Sequence, residues 1–75
     1  MTHSQEVIQT EWYMIRVQRN YLLSLCDWTQ LSDVNLSIEE KQAWSTYRQA
    51  LRDITDQSDP FNITWPQKPN FNFNI

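Results

Sequence analysis

The stretch SIEEKQAWSTYRQALRDI, residues 37–54, carries the strongest helix signal in this 75-residue sequence. Ser37 and Glu40 have the spacing of a capping box, and Glu39 and Glu40 lie where a helix dipole favours acidic side chains. The apolar residues behind this cap recur at the spacing of one helix face, and they are Ala43, Trp44, Tyr47, Ala50, Leu51 and Ile54. We therefore predict a helix over about residues 38–55.

A second helix is predicted on the N-terminal side of this stretch. Ser4, or else Thr2 together with Gln5, can cap its first turn. Steps of four and three residues then define one helix face, formed by Ile8, Trp12, Ile15, Arg19, Leu22 and Cys26 and widened by Val7 and Leu23. The predicted helix covers about residues 4–26.

The connection between the two helices, residues 27–36, is rich in Asp, Ser, Thr and Asn. This composition favours a turn, which Trp28, Leu31 and Val34 would anchor by packing. Two helices with a short connection fold most simply as an antiparallel hairpin, so we predict a mainly α fold with residues 1–56 as the hairpin. Its register stays open. The largest packing groups of the hairpin are Trp12 and Trp44.

Residues 57–75 are predicted to form an extended C-terminal tail. They contain all three prolines of the chain, Pro60, Pro66 and Pro69, and prolines exclude a helix interior. The last six residues alternate between Asn and an apolar residue, which suits an extended segment with one apolar face. Two interpretations stay open. Either the tail is mobile, or residues 61–65 pack on the helices and residues 70–75 dock on a partner, for example at a sheet edge.

Composition excludes several classes of protein. The net charge is −3 with only six Lys and Arg residues, which argues against nucleic acid as a partner. No apolar run approaches the roughly 18 residues of a membrane span, and MTHSQEVIQTEW lacks the basic and apolar regions of a signal peptide. The lone Cys26 has no intramolecular disulfide partner, and we expect it to be a small apolar residue on an inner helix face.

The sequence shows no pattern that indicates catalysis. His3, the only histidine, is expected to be solvated at a frayed terminus, and no second His or Cys lies near enough in sequence to suggest a metal site. The chain has no glycine, which excludes the usual phosphate-binding loops. Capping and dipole effects explain the acidic residues at the helix ends. We expect no cofactor, no metal and no enzymatic activity.

Arginines and aromatic residues are the remaining candidates for a site. The arginines can pair across the helices with Asp27 or Asp53, or one or two of them can face a partner. Arg, Trp and Tyr are the residue types most enriched at interface centres. The predicted partner-binding residues are Trp12, Arg16, Arg19, Trp28, Trp44, Tyr47, Arg48, Arg52, Trp65, Phe71 and Phe73.

Residues 12–69 resemble the phage tail assembly chaperone proteins. The shared pattern reads W-x3-R-x2-RN-x-LL-x3-DWTQ, then a spacer, then W-x2-YRQALRD, and finally a WP. The matching positions are Trp12, Arg16, Arg19, Asn20, Leu22, Leu23, Asp27, Trp28, Thr29, Gln30, Asp33, Trp44, Tyr47, Arg48, Gln49, Ala50, Leu51, Arg52, Asp53, Trp65 and Pro66. The sequence departs from the pattern at Cys26, where Thr is frequent, and at Thr55, where a proline is expected. NFNFNI lies beyond the pattern, and the module often ends longer tail-fibre assembly proteins.

The resemblance implies a role in building a phage tail or its fibres. The expected activity is binding a tail or tail-fibre protein in the host cytoplasm and assisting its folding or assembly, with self-association as a further expectation. One alternative is a structural protein retained in the virion tail as a fibre-associated subunit. Another alternative, from a different class, is a small inhibitor of a host protein.

Overall fold

The computed structural model describes residues 3–69, which form two α-helices, each followed by a short 3₁₀ turn. Helix α1 spans Gln5–Leu25 and helix α2 spans Ile38–Arg52. The 3₁₀ turns are Asp27–Gln30 and Asp53–Asp56, and residues 3–69 contain no strand. The prediction of a mainly α chain with two helices is therefore confirmed.

Local capping explains where α1 begins and ends. The Ser4 hydroxyl accepts a hydrogen bond from the Val7 N–H at 3.2 Å, so Ser4 is the N-cap, while Thr2 lies outside the described residues. At the other end the Cys26 N–H donates to the Leu23 carbonyl at 3.1 Å. The predicted bounds, 4–26, agree with the observed helix to within one residue at each end.

The capping box predicted for α2 is present in both directions. The Glu40 N–H donates to the Ser37 hydroxyl and the Ser37 N–H donates to the Glu40 carboxylate, each at 3.0 Å. The C-terminal bound differs from the prediction of residue 55, because the α-helix ends at Arg52 and tightens into a 3₁₀ turn. Such tightening is common at helix ends, and here Ile54 within the turn remains only 1% exposed.

The core lies between α1 and α2, which contact each other. Its centre is a cluster of four buried residues, Cys26, Trp44, Tyr47 and Leu51, and the partly buried residues around it are Leu22, Leu23, Leu36 and Trp65. The predicted apolar face of α2 is confirmed, since its members are buried or partly buried. The antiparallel hairpin, and the division into residues 1–56 and 57–75, stay predictions.

Trp12 and Trp44 were predicted to be the largest packing groups, but the tryptophan that packs against Trp44 is Trp28. Trp12 is partly buried and is not a member of the central cluster, whereas Trp28 packs edge-on against Trp44 with ring centroids 5.7 Å apart. The 3₁₀ turn after α1 carries Trp28 to this position. Leu31 was expected to anchor the connection but is 59% exposed, and Thr29 is buried instead, its hydroxyl donating to the Cys26 carbonyl at 2.7 Å.

The first part of the predicted tail lies against the helices. Trp65 packs on the central cluster, in line with the interpretation that residues 61–65 fold back. Two hydrogen bonds of 2.9 Å join the Gln57 side-chain amide to the backbone of Thr64 and close the loop between them. The ring of His3 stacks on Phe61 at 4.0 Å, and His3 is exposed, as expected for a solvated residue. Phe71 and Phe73 lie outside the described residues.

Candidate interaction surfaces

Helix α1 has apolar side chains on two opposite faces. The inner face, predicted from the sequence, is buried or partly buried from Ile8 to Cys26, but Val7, which was predicted to widen it, is 46% exposed. The second face points to solvent, and its apolar residues are 46–61% exposed. We call this second face the outer face of α1, and it consists of Val7, Tyr13, Met14, Val17, Tyr21 and Leu25.

The outer face has the spacing of a helix-packing seam. Val7, Met14 and Tyr21 are seven residues apart, and Thr10 and Val17 lie between them at steps of three and four. This alternation is the heptad pattern of helices that pack against other helices. The Thr10 hydroxyl donates to the Glu6 carbonyl at 2.9 Å, so the hydroxyl in this seam is already satisfied within the helix.

Polar side chains border the outer face on both sides. At 100° per residue, Glu11 and Gln18 lie along one border, and Arg16 and Asn20 lie along the other. On the Glu11 side a depression of about 420 Å³ separates α1 from the folded-back tail. Its lining residues are Glu11, Met14, Ile15, Gln18, Pro60, Phe61, Ile63 and Trp65. Met14 thus belongs both to the outer face and to the lining of this depression, which we call the notch.

Two further apolar side chains are exposed after the C-terminal end of α1. Trp28 is 40% exposed although its ring contacts Trp44, and Leu31 is also exposed. Both residues follow Leu25, the last member of the outer face, along the chain. The sequence analysis selected Trp28 as a partner-binding candidate but missed the outer face, because it assigned α1 a single apolar stripe. The heptad spacing from Val7 to Tyr21 was the signal that could have found it.

Arg48 links the two helices instead of pointing to solvent. Its guanidinium donates to the Leu23 carbonyl at 3.0 Å and to the Cys26 sulfur at 3.1 Å, and it forms an ion pair with Asp27 at 3.1 Å. Burial disfavours the charged guanidinium, but the interactions with Cys26 and Asp27 outweigh that effect and raise the pKa of Arg48 further above its ordinary value. The predicted pairing of an arginine with Asp27 is confirmed.

The other three predicted arginines form no hydrogen bond or ion pair between α1 and α2 within residues 3–69. Arg19 donates to the Asn20 side chain at 3.0 Å, Arg52 donates to the Gln49 side chain at 2.9 Å, and Arg16 is exposed. Arg16 borders the outer face, so of the predicted arginines it is the one next to that surface. A role in binding a partner stays a prediction for all of them.

Trp44 and Tyr47 lie in the core, with 4% and 7% of their surfaces exposed. Their rings meet edge-on at 5.9 Å, and the Trp44 indole N–H is buried without a hydrogen-bond partner among residues 3–69. Burial, with a smaller effect of Cys26, raises the pKa of the Tyr47 hydroxyl. Because they are so little exposed, a partner would reach these two side chains only at their edges. Their partner-binding role stays a prediction.

A groove runs along the side of α2 that faces the end of the described chain. Its volume is about 460 Å³. We call it the α2 groove, and its lining residues are Ala43, Thr46, Tyr47 and Ala50 from α2 together with Pro66, Gln67 and Pro69. Most of the lining is apolar. This groove could not be predicted from the sequence, because its shape depends on where residues 66–69 lie relative to α2.

Residues 3–69 contain no group of three or more His, Cys, Asp or Glu side chains that could hold a metal ion. Neither helix in that part of the chain is long and apolar enough to cross a bilayer. The expectation that the protein has no enzymatic activity and no cofactor stays a prediction. Exposed apolar surface often marks an interaction site, and the outer face of α1 carries such surface.

Comparison with known protein families matches most of the chain to one family. The family model described as phage tail assembly chaperone protein matches residues 8–70. Comparisons with curated proteins and with solved structures found no match. The matched region contains α1 from Ile8 onward, all of α2, and the folded-back tail up to the edge of the α2 groove.

Proposed function

Because the chain belongs to the phage tail assembly chaperone protein family, we propose that it binds a tail or tail-fibre protein through the outer face of α1 and assists its assembly. The observation that carries this proposal is the exposed apolar seam from Val7 to Leu25. Contiguous exposed apolar surface with a polar border typically marks an interaction site. Burying each large side chain of the seam would contribute about 1.5–3 kcal/mol before the costs of association.

The physical task of such a chaperone is to cover apolar surface that its client exposes before assembly. Partly folded or unassembled subunits expose such surface and unpaired strand edges, which makes them prone to aggregation. A helix with heptad spacing suits a client segment that presents a complementary apolar ridge. The notch beside Met14 offers space for a client side chain next to the seam.

The predicted partner-binding residues divide into two groups on this proposal. Arg16 borders the outer face and Trp28 is 40% exposed in the turn after α1, and we propose both as direct contacts of a client. Trp44, Tyr47 and Arg48 act indirectly, by holding α2 and the end of α1 together. Arg and Trp at a rim of this kind would contribute orientation and specificity as well as affinity.

The protein would act in the host cytoplasm while tails are being built, without a cofactor and without catalysis. The alternative, a structural subunit retained in the virion tail, makes a different prediction about purified particles. A chaperone that leaves after assembly is absent from them. A fibre-associated subunit is present at a fixed ratio to the fibre protein, which quantitative mass spectrometry of the particles would measure.

A pair of matched variants tests the outer face. Met14→Lys with Tyr21→Lys places two charges in the seam, whereas Gln42→Lys with Ser45→Lys adds the same charge at exposed positions of α2. We expect the first pair to weaken binding to the tail or tail-fibre client by at least about 10-fold, since two interface aromatic or apolar side chains commonly exceed 1.4 kcal/mol together.

The control pair should keep its affinity, and both pairs should keep the melting temperature, because all four positions are exposed. Calorimetric titration of the purified client would measure the affinities. Equal affinity for the two pairs would show that the client binds elsewhere on the chaperone.

A further inference from the structure

The notch between α1 and the folded-back tail combines one charged side chain with two aromatic rings. Its lining contains the Glu11 carboxylate and the rings of Phe61 and Trp65, and no basic side chain of the described chain takes part in it. Apart from Gln18, the remaining lining side chains are apolar. The volume of about 420 Å³ falls within the range of about 300–1,000 Å³ typical of ligand pockets.

The Glu11 carboxylate is available to a cation from outside. Glu11 is partly buried, and within residues 3–69 its side chain forms no hydrogen bond and no ion pair. Arg19, two helical turns further along α1, donates instead to the side chain of Asn20 at 3.0 Å. At 100° per residue, Asn20 lies on the side of the helix opposite Glu11. Partial burial without a partner disfavours a carboxylate, so a cation that enters the notch removes an electrostatic cost.

The wall opposite α1 is held in place by hydrogen bonds. The two bonds between the Gln57 side chain and the Thr64 backbone, each 2.9 Å, close the loop that carries Phe61. Inside this loop the Phe61 N–H donates to the Asp59 carboxylate at 3.0 Å, which places a second negative charge beside the lining. A wall that is ordered before binding lowers the entropy cost of receiving a ligand.

An arginine side chain matches each part of this lining. Its aliphatic stem can cover apolar surface while its charged end stays near water. Its guanidinium is attracted to the faces of aromatic rings, and it can form two parallel hydrogen bonds with one carboxylate. A lysine ammonium has no such planar fork and is more strongly hydrated.

We propose that the notch binds an arginine side chain of the client, with Glu11 as its carboxylate partner and Phe61 and Trp65 as its aromatic walls. This inference rests on the proposed function, because Met14 lines the notch and also belongs to the outer face of α1. It adds the chemistry of the client, which would present an apolar ridge with an arginine at its border.

Nuclear magnetic resonance titration of the full-length chain with N-acetyl-arginine N-methylamide tests the notch by itself. We expect saturable shifts of the Trp65 indole N–H and of the Gln18 side-chain amide. The matched control is N-acetyl-citrulline N-methylamide, which has nearly the same shape without the charge. It should bind at least about 5-fold more weakly, and the lysine analogue should also bind more weakly than the arginine probe.

Two variants identify the groups that hold the probe. Glu11→Gln removes the charge but keeps the size of the side chain, and it should weaken binding of the arginine probe by about 5-fold. Glu39→Gln removes the same charge at an exposed position of α2 outside the notch and should leave binding unchanged. Phe61→Leu should weaken binding by about 2–5-fold, because it removes an aromatic face. Should Phe61→Leu loosen the loop, Glu11→Gln still decides the question.

The proposal is wrong if the citrulline or lysine probe binds as tightly as the arginine probe, or if Glu11→Gln leaves the affinity unchanged. It is also wrong if the same resonances shift with protein concentration in the absence of a probe, which would assign the notch to a second copy of the chain. These results differ from a failure of the proposed function. In that case the seam variants would bind the client normally, while the notch would still bind the arginine probe.

Discussion

Arg48 shows how one side chain can fix the junction of two elements. The carbonyl of Leu23, in the last turn of α1, accepts a hydrogen bond from the Cys26 N–H, and the guanidinium of Arg48 adds a second donor from α2. The Asp27 side chain is 66% exposed, so water and salt screen much of the ion pair. The bonds to Leu23 and to the buried Cys26 therefore contribute more to stability than the ion pair does.

Arg48→Lys should lower the free energy of unfolding by about 1–3 kcal/mol, because an ammonium cannot reach the three acceptors in one planar fork. Arg52→Lys is the control, since Arg52 contacts only the exposed Gln49 side chain. Urea unfolding followed by circular dichroism would measure both. The sequence alone suggested that at least one of Arg16→Lys and Arg48→Lys would weaken partner binding without changing the melting temperature; for Arg48 the geometry now leads us to expect a loss of stability. An unchanged unfolding midpoint would contradict the junction role.

Tyr47 should make the protein sensitive to alkali. Its hydroxyl has a raised pKa in the folded protein because burial disfavours the phenolate, so above pH about 10 the unfolded chain loses this proton first. The free energy of unfolding should then fall as pH rises from about 10 toward the folded-state pKa. Tyr47→Phe should reduce this loss, while Tyr21→Phe, at an exposed position, should not. Urea midpoints measured across this pH range would decide, and identical pH profiles for both variants would refute the assignment.

At single positions, the sequence predicted interactions within one helical turn, but it did not predict which residues meet in tertiary packing. Ser37 and Glu40 form the predicted capping box because every atom involved lies within one turn of helix. The tryptophan that meets Trp44 could not be predicted in this way, since periodicity identifies a face but not what lies opposite it. The 3₁₀ turn after α1 brings Trp28 to Trp44 and leaves Trp12 outside the central cluster.

At the level of elements, α1 is a helix with two apolar faces and α2 is a helix with one. Their N-terminal ends and most of their inner faces followed from caps and from 3.6-residue periodicity. The outer face of α1 was missed because both stripes share steps of three and four, and only tertiary contacts reveal which stripe a neighbour covers. The tightening of α2 after Arg52 likewise depends on burying Ile54 rather than on a local sequence signal.

Packing between the elements depends most on Trp44. Trp44→Ala should lower the free energy of unfolding by roughly 3–5 kcal/mol, which is close to the whole stability of a domain this small. Trp12→Ala should cost less, because Trp12 is only partly buried and lies outside the central cluster. Thermal unfolding followed by circular dichroism compares the two. A cooperative melt of Trp44→Ala near the original temperature would place the main packing energy elsewhere.

At the scale of the whole molecule, the chain is extended for its length. Its radius of gyration is 15.3 Å, whereas a compact domain of this length has about 11 Å. An elongated shape leaves a high proportion of apolar surface outside the core, and the outer face of α1 is one example. The free protein is therefore expected to be only marginally stable, and binding a client would add to its stability by burying this surface.

Because client binding and folding are coupled in this way, the client should raise the melting temperature of the chaperone. A client present at about 100 times its dissociation constant stabilises the folded chaperone by about 2.7 kcal/mol, which raises the melting temperature of a chain this small by roughly 10–20 °C. Scanning calorimetry of the chaperone with increasing amounts of the tail protein would show the shift. The seam variant with Met14→Lys and Tyr21→Lys should melt at the wild-type temperature alone and gain far less from the client, since its core is intact and its binding face is not. An equal shift for wild type and variant would mean that the stabilising contact lies outside the outer face of α1, and the α2 groove would then be the next surface to test.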